Sequence, residues 1–269
     1  MRGDEQGMAY DWLGKKLYFL NRNQLSVCDS NGHFRLSLLN ETVLQEATSI
    51  ALDPLAGWLF VSDWHYPPFI GRMSLDGTKF TKIITQDLGT PIGLTIDIIT
   101  RRIFWTDTHL KRIEYANYNG TQRFVAVASR QTAYPFGVAF FDGLLYWSDR
   151  ANHSIFAANA LNGSNQTTLR QGTIHAAFAL TVYHYSLQPN GDSPCSINNG
   201  GCSHLCLKSA DEQKKYTCAC PNSFMLDTDG KRCVANCSEW HFRCGMPDER
   251  CIPFYWKCGK NFSLVKKYT

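Results

Sequence analysis

The sequence predicts an all-β fold, a β-propeller of about four blades followed by small disulfide-rich modules. Three observations predict it. A stretch of two aromatic or apolar residues, Ser or Thr, and Asp recurs, with anchors at Asn21, Asp63, Asp107 and Asp149, spaced 42, 44 and 42 residues apart. A fixed period of that size marks a stacked repeat. Each unit holds about four short apolar segments separated by turn residues, the content of one propeller blade. Of the eleven cysteines, only Cys28 lies in the repeat region, and the other ten follow it.

The first unit opens on a strand at Gly7 to Asp11. It turns at Leu13-Gly14-Lys15-Lys16 and continues in a degenerate aromatic strand, Leu17-Tyr18-Phe19-Leu20-Asn21, that leads to Asn31-Gly32. In the second, Leu59-Phe60-Val61-Ser62-Asp63 leads to Leu75-Asp76-Gly77. The third is the clearest: Gly93-Leu94-Thr95-Ile96, a basic turn at Thr100-Arg101-Arg102, the aromatic strand to Asp107, a third strand Arg112 to Ala116, and a fourth from Thr121 to Ala126. The fourth unit runs through Leu145-Tyr146-Trp147-Ser148-Asp149 to Leu161-Asn162-Gly163. The Asn-Gly and Asp-Gly pairs are expected to form type I′ hairpins, whose two central residues both need positive φ. Runs such as Ile103-Phe104-Trp105 are apolar on both faces, as stacked blades require. After the fourth unit, "HAAFALTVYHYSL" (residues 175–187) reads as a lone first strand.

The aromatic-aromatic-Ser/Thr-Asp repeat with its Leu-Asp-Gly turn resembles the YWTD β-propeller of the low-density lipoprotein receptor family. Downstream, Cys195, Cys202, Cys206, Cys218, Cys220 and Cys233, in "SPCSINNGGCSHLCL" and beyond, resemble the EGF-like module that follows such propellers. Then Cys237, Cys244, Cys251 and Cys258 resemble the first two thirds of an LDL-receptor class A module. Propeller, EGF and class A in that order is the layout of the large low-density lipoprotein receptor-related proteins. The resemblance divides the chain into a partial propeller (1–187), an EGF-like module (191–234), a truncated class A module (236–258) and a divergent tail (259–269). It implies a propeller of six blades, so four make it incomplete and the chain reads as a piece of a longer receptor. It implies the pairings Cys195–Cys206, Cys202–Cys218, Cys220–Cys233 and Cys237–Cys251, with Cys244 and Cys258 lacking partners. The family's calcium cage falls in the Asp-rich stretch that this chain replaces, so no cofactor or metal is expected. Trp256, which matches the family's ligand-contacting aromatic, is then expected to be only an exposed aromatic.

Cysteine clustering in modules too small for a core of their own points to an oxidising compartment. The sequons at Asn40, Asn119, Asn152, Asn162, Asn165, Asn236 and Asn261 agree, making glycosylation expected at the first five; Asn236 has Cys as its middle residue. The net charge of +4 is small and no basic stripe is interleaved with aromatics, so nucleic acid is not an expected partner. No apolar run has the length of a membrane-spanning helix. The location implied is extracellular or lumenal, as part of the ectodomain of a single-pass plasma-membrane receptor.

The repeated Asp63, Asp107 and Asp149 could form a ring of ligands. A carboxylate at a fixed strand end more simply satisfies loop N–H groups, which makes them scaffold. The loops after them and the blade connections hold the ligand-face candidates Trp64, His65, Tyr66, Phe69, His109, Tyr134, Phe136, Arg150 and His153, since exposed aromatics beside charges are hot-spot chemistry. His65 and His109 sit two residues after the repeat Asp in adjacent units. They are either ordinary surface histidines or a pH-responsive pair, because imidazole titrates near pH 6.5; His175 and His184 are a second candidate pair. Cys28 reads as a buried thiol, and no catalytic or phosphate-binding motif is present, so no enzyme is expected.

The function implied by the resemblance is that of an endocytic multi-ligand receptor. Its propeller–EGF unit would bind protein or lipoprotein ligands and release them in acid, with class A modules of the same receptor as intramolecular partners. The alternative is a nidogen-like cross-linking module of the extracellular matrix. Propeller lactonases and strictosidine-synthase-like enzymes share the architecture, but the polar cluster they need on the central channel is not evident in this sequence.

Overall fold

The structure is a computed structural model that describes residues 5–128, 130–172, 179–237, 241–243, 251–253, 256–258 and 264–266. Four antiparallel four-stranded sheets follow one another in chain order. The first blade holds β1 (Glu5–Asp11), β2 (Lys16–Asn21), β3 (Gln24–Asp29) and β4 (Leu36–Leu39). The second holds β5 (Ala47–Asp53), β6 (Trp58–Asp63), β7 (Phe69–Ser74) and β8 (Thr81–Ile84). The third holds β9 (Pro91–Asp97), β10 (Arg102–Asp107), β11 (Arg112–Asn117) and β12 (Phe124–Val127). The fourth holds β13 (Pro135–Phe141), β14 (Leu144–Asp149), β15 (Ser154–Asn159) and β16 (Thr167–Gln171).

The first strands β1, β5, β9 and β13 pack beside one another in sequence order and form the inner wall. The aromatic strands β6 and β10 are buried along nearly their whole length, which explains their unbroken apolar character. Three apolar clusters fill the seams. The first joins blades one and two around Tyr18, Leu59 and Met73, the second joins two and three around Phe60 and Trp105, and the third joins three and four around Phe104 and Trp147. Each fully buried aromatic is worth roughly 2–3 kcal/mol of transfer free energy, so these seams are the main cohesion of the arc.

The hairpins differ from the expected type I′ form. At Asn31-Gly32, Asp76-Gly77 and Asn119-Gly120 only the glycine has positive φ, at 81°, 83° and 84°. Its N–H donates back to the carbonyl of Asp29, Ser74 or Asn117 at 3.0, 2.9 and 2.8 Å, the pattern of a turn closed by a left-handed glycine bulge. The reason is local. The Asp76 and Asn119 side chains accept the backbone N–H and the hydroxyl of Thr78 and Thr121 two residues on, an arrangement that holds the Asp or Asn at negative φ.

The lone first strand expected after blade four is not seen in the described part of that segment. Residues 179–184 are irregular and lead into a single 3-10 turn, Tyr185–Leu187. A strand needs a hydrogen-bonded neighbour, and no aromatic strand follows to supply one.

The small module has two hairpins, β17 (Leu205–Lys208) with β18 (Tyr216–Ala219) and β19 (Phe224–Leu226) with β20 (Cys233–Ala235). Disulfides join Cys195 to Cys206, Cys202 to Cys218 and Cys220 to Cys233. Beyond it Cys237 is bonded to Cys251, and β21 (His241–Arg243) pairs with β22 (Cys251–Pro253). The stretch read as a divergent tail supplies β24 (Leu264–Lys266), which pairs with β23 (Trp256–Cys258). Cys244, Asn261 and the side chains of Trp256 and Cys258 lie outside the described residues.

The small module is docked on the propeller. Leu205 and Leu207 enter the first apolar cluster. Lys208 Nζ donates to the Leu55 carbonyl at 2.7 Å, the Ala210 N–H to Ser74 Oγ at 2.8 Å, and Thr217 Oγ1 to Asp76 Oδ2 at 2.7 Å. His204 lies edge-on to Phe34 with ring centroids 4.7 Å apart. All these propeller groups belong to the turns on one side of the blades, at the end away from the repeat aspartates.

Candidate functional site: the ligand face

The repeat aspartates organise the opposite side. Asp63 accepts the backbone N–H groups of Gln45 (2.8 Å), Glu46 (3.2 Å) and His65 (2.9 Å). Asp107 accepts those of Gly89 (2.7 Å), Thr90 (3.0 Å) and Leu110 (2.9 Å). Asp149 accepts the Thr132 hydroxyl (2.6 Å) and the N–H groups of Ala133 (2.7 Å), Tyr134 (3.2 Å), Ala151 (3.1 Å) and Asn152 (3.0 Å). Each carboxylate ties the connection entering its blade to the loop leaving its strand. All three are buried. Burial pushes the Asp149 carboxyl up, but the Thr132 hydroxyl and the converging N–H groups outweigh it and hold it below the usual carboxylate range. In the degenerate first blade, Asn21 Oδ1 is buried with no partner among the described residues.

Two further series escaped the sequence reading. The Ser or Thr before the repeat Asp is a tie between blades: Ser62 Oγ donates to the Ile92 carbonyl (3.3 Å) and Thr106 Oγ1 to the Phe136 carbonyl (2.6 Å), each reaching the inner strand of the next blade. The Gly137 N–H donates to Ser148 Oγ at 3.0 Å. At the other end of the inner strands, Asp11, Asp53 and Asp97 accept turn N–H groups from Gly14, Ala56 and Ile99. Their spacings of 42 and 44 repeat those of the first three anchors, the signal that could have found them.

On this braced frame the loops present their side chains. Trp64 is 41% exposed, Tyr66 86% and Tyr134 39%, and His65 and His109 are also exposed. The backbone brings loop and connection together: the Trp64 N–H donates to the Glu46 carbonyl, and the Arg150 N–H to that of Tyr134. The Arg150 guanidinium lies 5.7 Å from the Tyr134 ring centre and 5.1 Å from that of Phe136, a half-buried cation between two aromatic rings. Phe69 is not part of this surface. It opens β7, is buried, and packs in the first cluster, because a β-strand start facing the seam loses its exposure. His153, with φ of 50°, is exposed in the loop after Asp149.

His184 is apart from the loop face. It caps the 3-10 turn, its ring lies tilted by 51° beside Phe141 with centroids 4.9 Å apart, and its Nδ1 lies 2.7 Å from Ser186 Oγ. Together with Phe141 it lines a groove of about 1220 Å³ along the inner strands. His175 lies outside the described residues. Asn40, Asn119, Asn152, Asn162 and Asn165 are all exposed. Cys28 is a buried free thiol, and burial pushes it up from the ordinary thiol value. Among the described residues no group of three or more His, Cys, Asp and Glu side chains is placed to hold a metal ion, and no helix is long and apolar enough to cross a membrane.

Residues 143–184 match the low-density lipoprotein receptor repeat class B, and residues 195–233 match the coagulation factor Xa inhibitory site. The vitellogenin receptor Yl of Drosophila melanogaster is 33% identical over 231 residues, covering 85% of this chain and 11% of that protein. The chain thus spans about a ninth of the curated relative it matches. Among solved structures, a nidogen/laminin complex aligns with a TM-score of 0.61 at 24% identity, over 66% of this chain and 68% of that one. A streptogramin B lyase aligns with a TM-score of 0.54 at 20% identity, over 65% and 57%. At those identities the two structures establish the propeller fold alone.

Class B blades with a disulfide-bonded module clasped to one side and open loops on the other define an extracellular unit of the receptor type. The chain belongs to the low-density lipoprotein receptor family.

Proposed function

We propose that the loop face, bearing Trp64, His65, Tyr66, His109, Tyr134, Phe136 and Arg150, binds the ligand and takes part in its release after endocytosis. The observation that carries this reading is the exposure of Trp64, Tyr66 and Tyr134 on the side the docked module leaves free. Large apolar rings in water are costly unless a partner covers them, and Tyr, Trp and Arg are the residues in which interface energy concentrates. The similarity to a vitellogenin receptor makes a vitellogenin-type lipoprotein the first ligand to test. His65 and His109 are exposed on this face, and positive charge gained there in acid would favour docking of acidic class A modules of the same receptor in place of the ligand.

The test uses the soluble ectodomain containing this segment and purified vitellogenin. Trp64→Ala with Tyr66→Ala is expected to weaken binding at pH 7.4 about 30-fold, the equivalent of about 2 kcal/mol for a hot spot. His65→Gln with His109→Gln is expected to leave binding at pH 7.4 unchanged and to slow dissociation at pH 5. Unaltered affinity in the first variant would remove the loop face as the ligand site. Equal acid dissociation in the second would leave both histidines as ordinary surface residues.

A further inference from the structure

A cleft of about 370 Å³ lies between blades two and three on the side away from the ligand face. Its volume falls at the lower end of small-molecule sites, about 300–1,000 Å³. Trp58 at the start of β6 and Arg72 on β7 form one wall; Arg101, in the turn between β9 and β10, and Asn119, in the turn between β11 and β12, form the other. The Arg72 guanidinium lies 4.1 Å from the Trp58 ring centre. Its Nη1 donates to the Tyr118 carbonyl at 3.1 Å, while its buried Nε has no acceptor among the described residues. An indole face, two guanidinium groups and a carboxamide around a shallow cleft is a surface for hydroxyl and acetamido groups. Arg72 covers one face of the indole, so a sugar ring meets its remaining face or edge, and the donors meet the oxygens.

Asn119 also begins the sequon Asn119-Gly120-Thr121. Its Oδ1 accepts the Thr121 hydroxyl at 2.6 Å and the Thr121 N–H at 3.1 Å, and its Nδ2 has no acceptor among the described residues. The amide oxygen is therefore held and the nitrogen left open. Asn40 has the same arrangement with Thr42, at 2.6 and 3.2 Å, but stands on the opposite side and outside this cleft.

We propose that Asn119 carries an N-linked glycan whose first sugars lie in the Trp58–Arg72–Arg101 cleft, so that the glycan covers the seam between blades two and three. In the attachment step, Nδ2 forms a bond to the anomeric carbon of a lipid-linked oligosaccharide. The bond from that carbon to the diphosphate breaks, the diphosphate leaves with the electron pair, and the amide loses one proton. The N-acetyl carbonyl and ring hydroxyls of the attached sugar then accept from the guanidinium donors that the protein leaves unpaired. This inference needs only an extracellular route and is independent of what the ligand face binds.

The test is secretion of the ectodomain from eukaryotic cells, glycopeptide mass spectrometry, and timed release of each glycan by a peptide N-glycosidase. Asn119 is expected to be occupied. In the native protein its glycan is expected to be released about tenfold more slowly than in Arg101→Asn. After denaturation the two rates should be equal. Asn is chosen because it tolerates the left-handed φ of 55° that Arg101 adopts. Thermal unfolding of the variant checks that the blades remain intact. An empty Asn119, or equal native release rates in wild type and Arg101→Asn, overturns the proposal.

Discussion

At the repeat aspartates, one carboxylate collects three or more donors that would otherwise be stranded in a dry seam. Asp107→Ala leaves the N–H groups of Gly89, Thr90 and Leu110 without their acceptor. A stranded buried donor costs about 1–3 kcal/mol, partly relieved by water, so a net loss of about 3 kcal/mol is expected. Denaturant unfolding of the secreted ectodomain checks it, and a change below about 1 kcal/mol would return Asp107 to the list of ligand groups. The glycines give a second comparison. At Gly120, φ is 84° and an added Cβ would collide with the Ile83 carbonyl of the preceding blade. At Gly143, φ is 75° and the same Cβ would meet open space. Gly143→Ala is therefore expected to cost only the left-handed penalty, about 1–2 kcal/mol. Gly120→Ala should cost more, and the difference in midpoint measures the contact between blades. The recurrence of Asp63, Asp107 and Asp149 was legible because periodicity is a property of sequence. The turn type at Asn119-Gly120 was not, because Asn-Gly suits both forms and the Thr121 hydrogen bond decides between them.

The docked module is tied to the propeller through a carboxylate that stays ionised in mild acid. β18 is tied to the turn after β7 by Thr217 and Asp76. Burial raises the Asp76 carboxyl, but hydroxyls of Thr78, Ser74 and Thr217 outweigh it and hold the group below the usual carboxylate range. A carboxyl lowered on folding adds stability that is complete above its unfolded value, about 3.9, and is lost as pH falls through the lower folded value. The tie therefore persists from pH 7 to 5 and fails only below about pH 4. Hydrogen exchange in β17 and β18, corrected for the intrinsic rate, is expected to be unchanged between pH 7 and 5. Loss of protection at pH 5 would move the acid response from the ligand face to this junction. The strands of both modules could be read from sequence, but their docking could not. Leu205 and Leu207 look like ordinary interior residues of a small module, and nothing local tells that Leu38, Leu75 and Gly57 wait across the interface.

At the scale of the molecule, the four blades form an arc whose end sheets carry apolar groups in the open. Met8 is 67% exposed on β1 and Leu169 54% on β16. Sheet edges and apolar faces of this kind promote association. Residues 1–269 produced as an isolated piece are expected to elute from size exclusion as oligomers or aggregate, with light scattering giving the mass. A monodisperse monomer that melts cooperatively would show that the arc closes its own ends. The number of blades was readable from the anchor spacing, whereas the irregular path of residues 179–184 was not, because a strand-like composition says nothing about whether a neighbour is there to pair with.

The wedging of the glycine turns of blades two, three and four against the blade before each has a consequence for how such a protein can change. Gly77 abuts Leu38, Gly120 abuts Ile83 and Gly163 abuts Ala126, so a length change in any of these turns would be felt by two blades at once. The loops after Asp63, Asp107 and Asp149 are fixed at their ends by those carboxylates, and Trp64, Tyr66 and His109 stand exposed beyond them. Insertions should therefore be tolerated on one side of the disc and rejected on the other. A lineage, or a selection experiment, can rewrite what the receptor grips by editing a dozen solvent-facing positions while the frame that spaces them stays untouched.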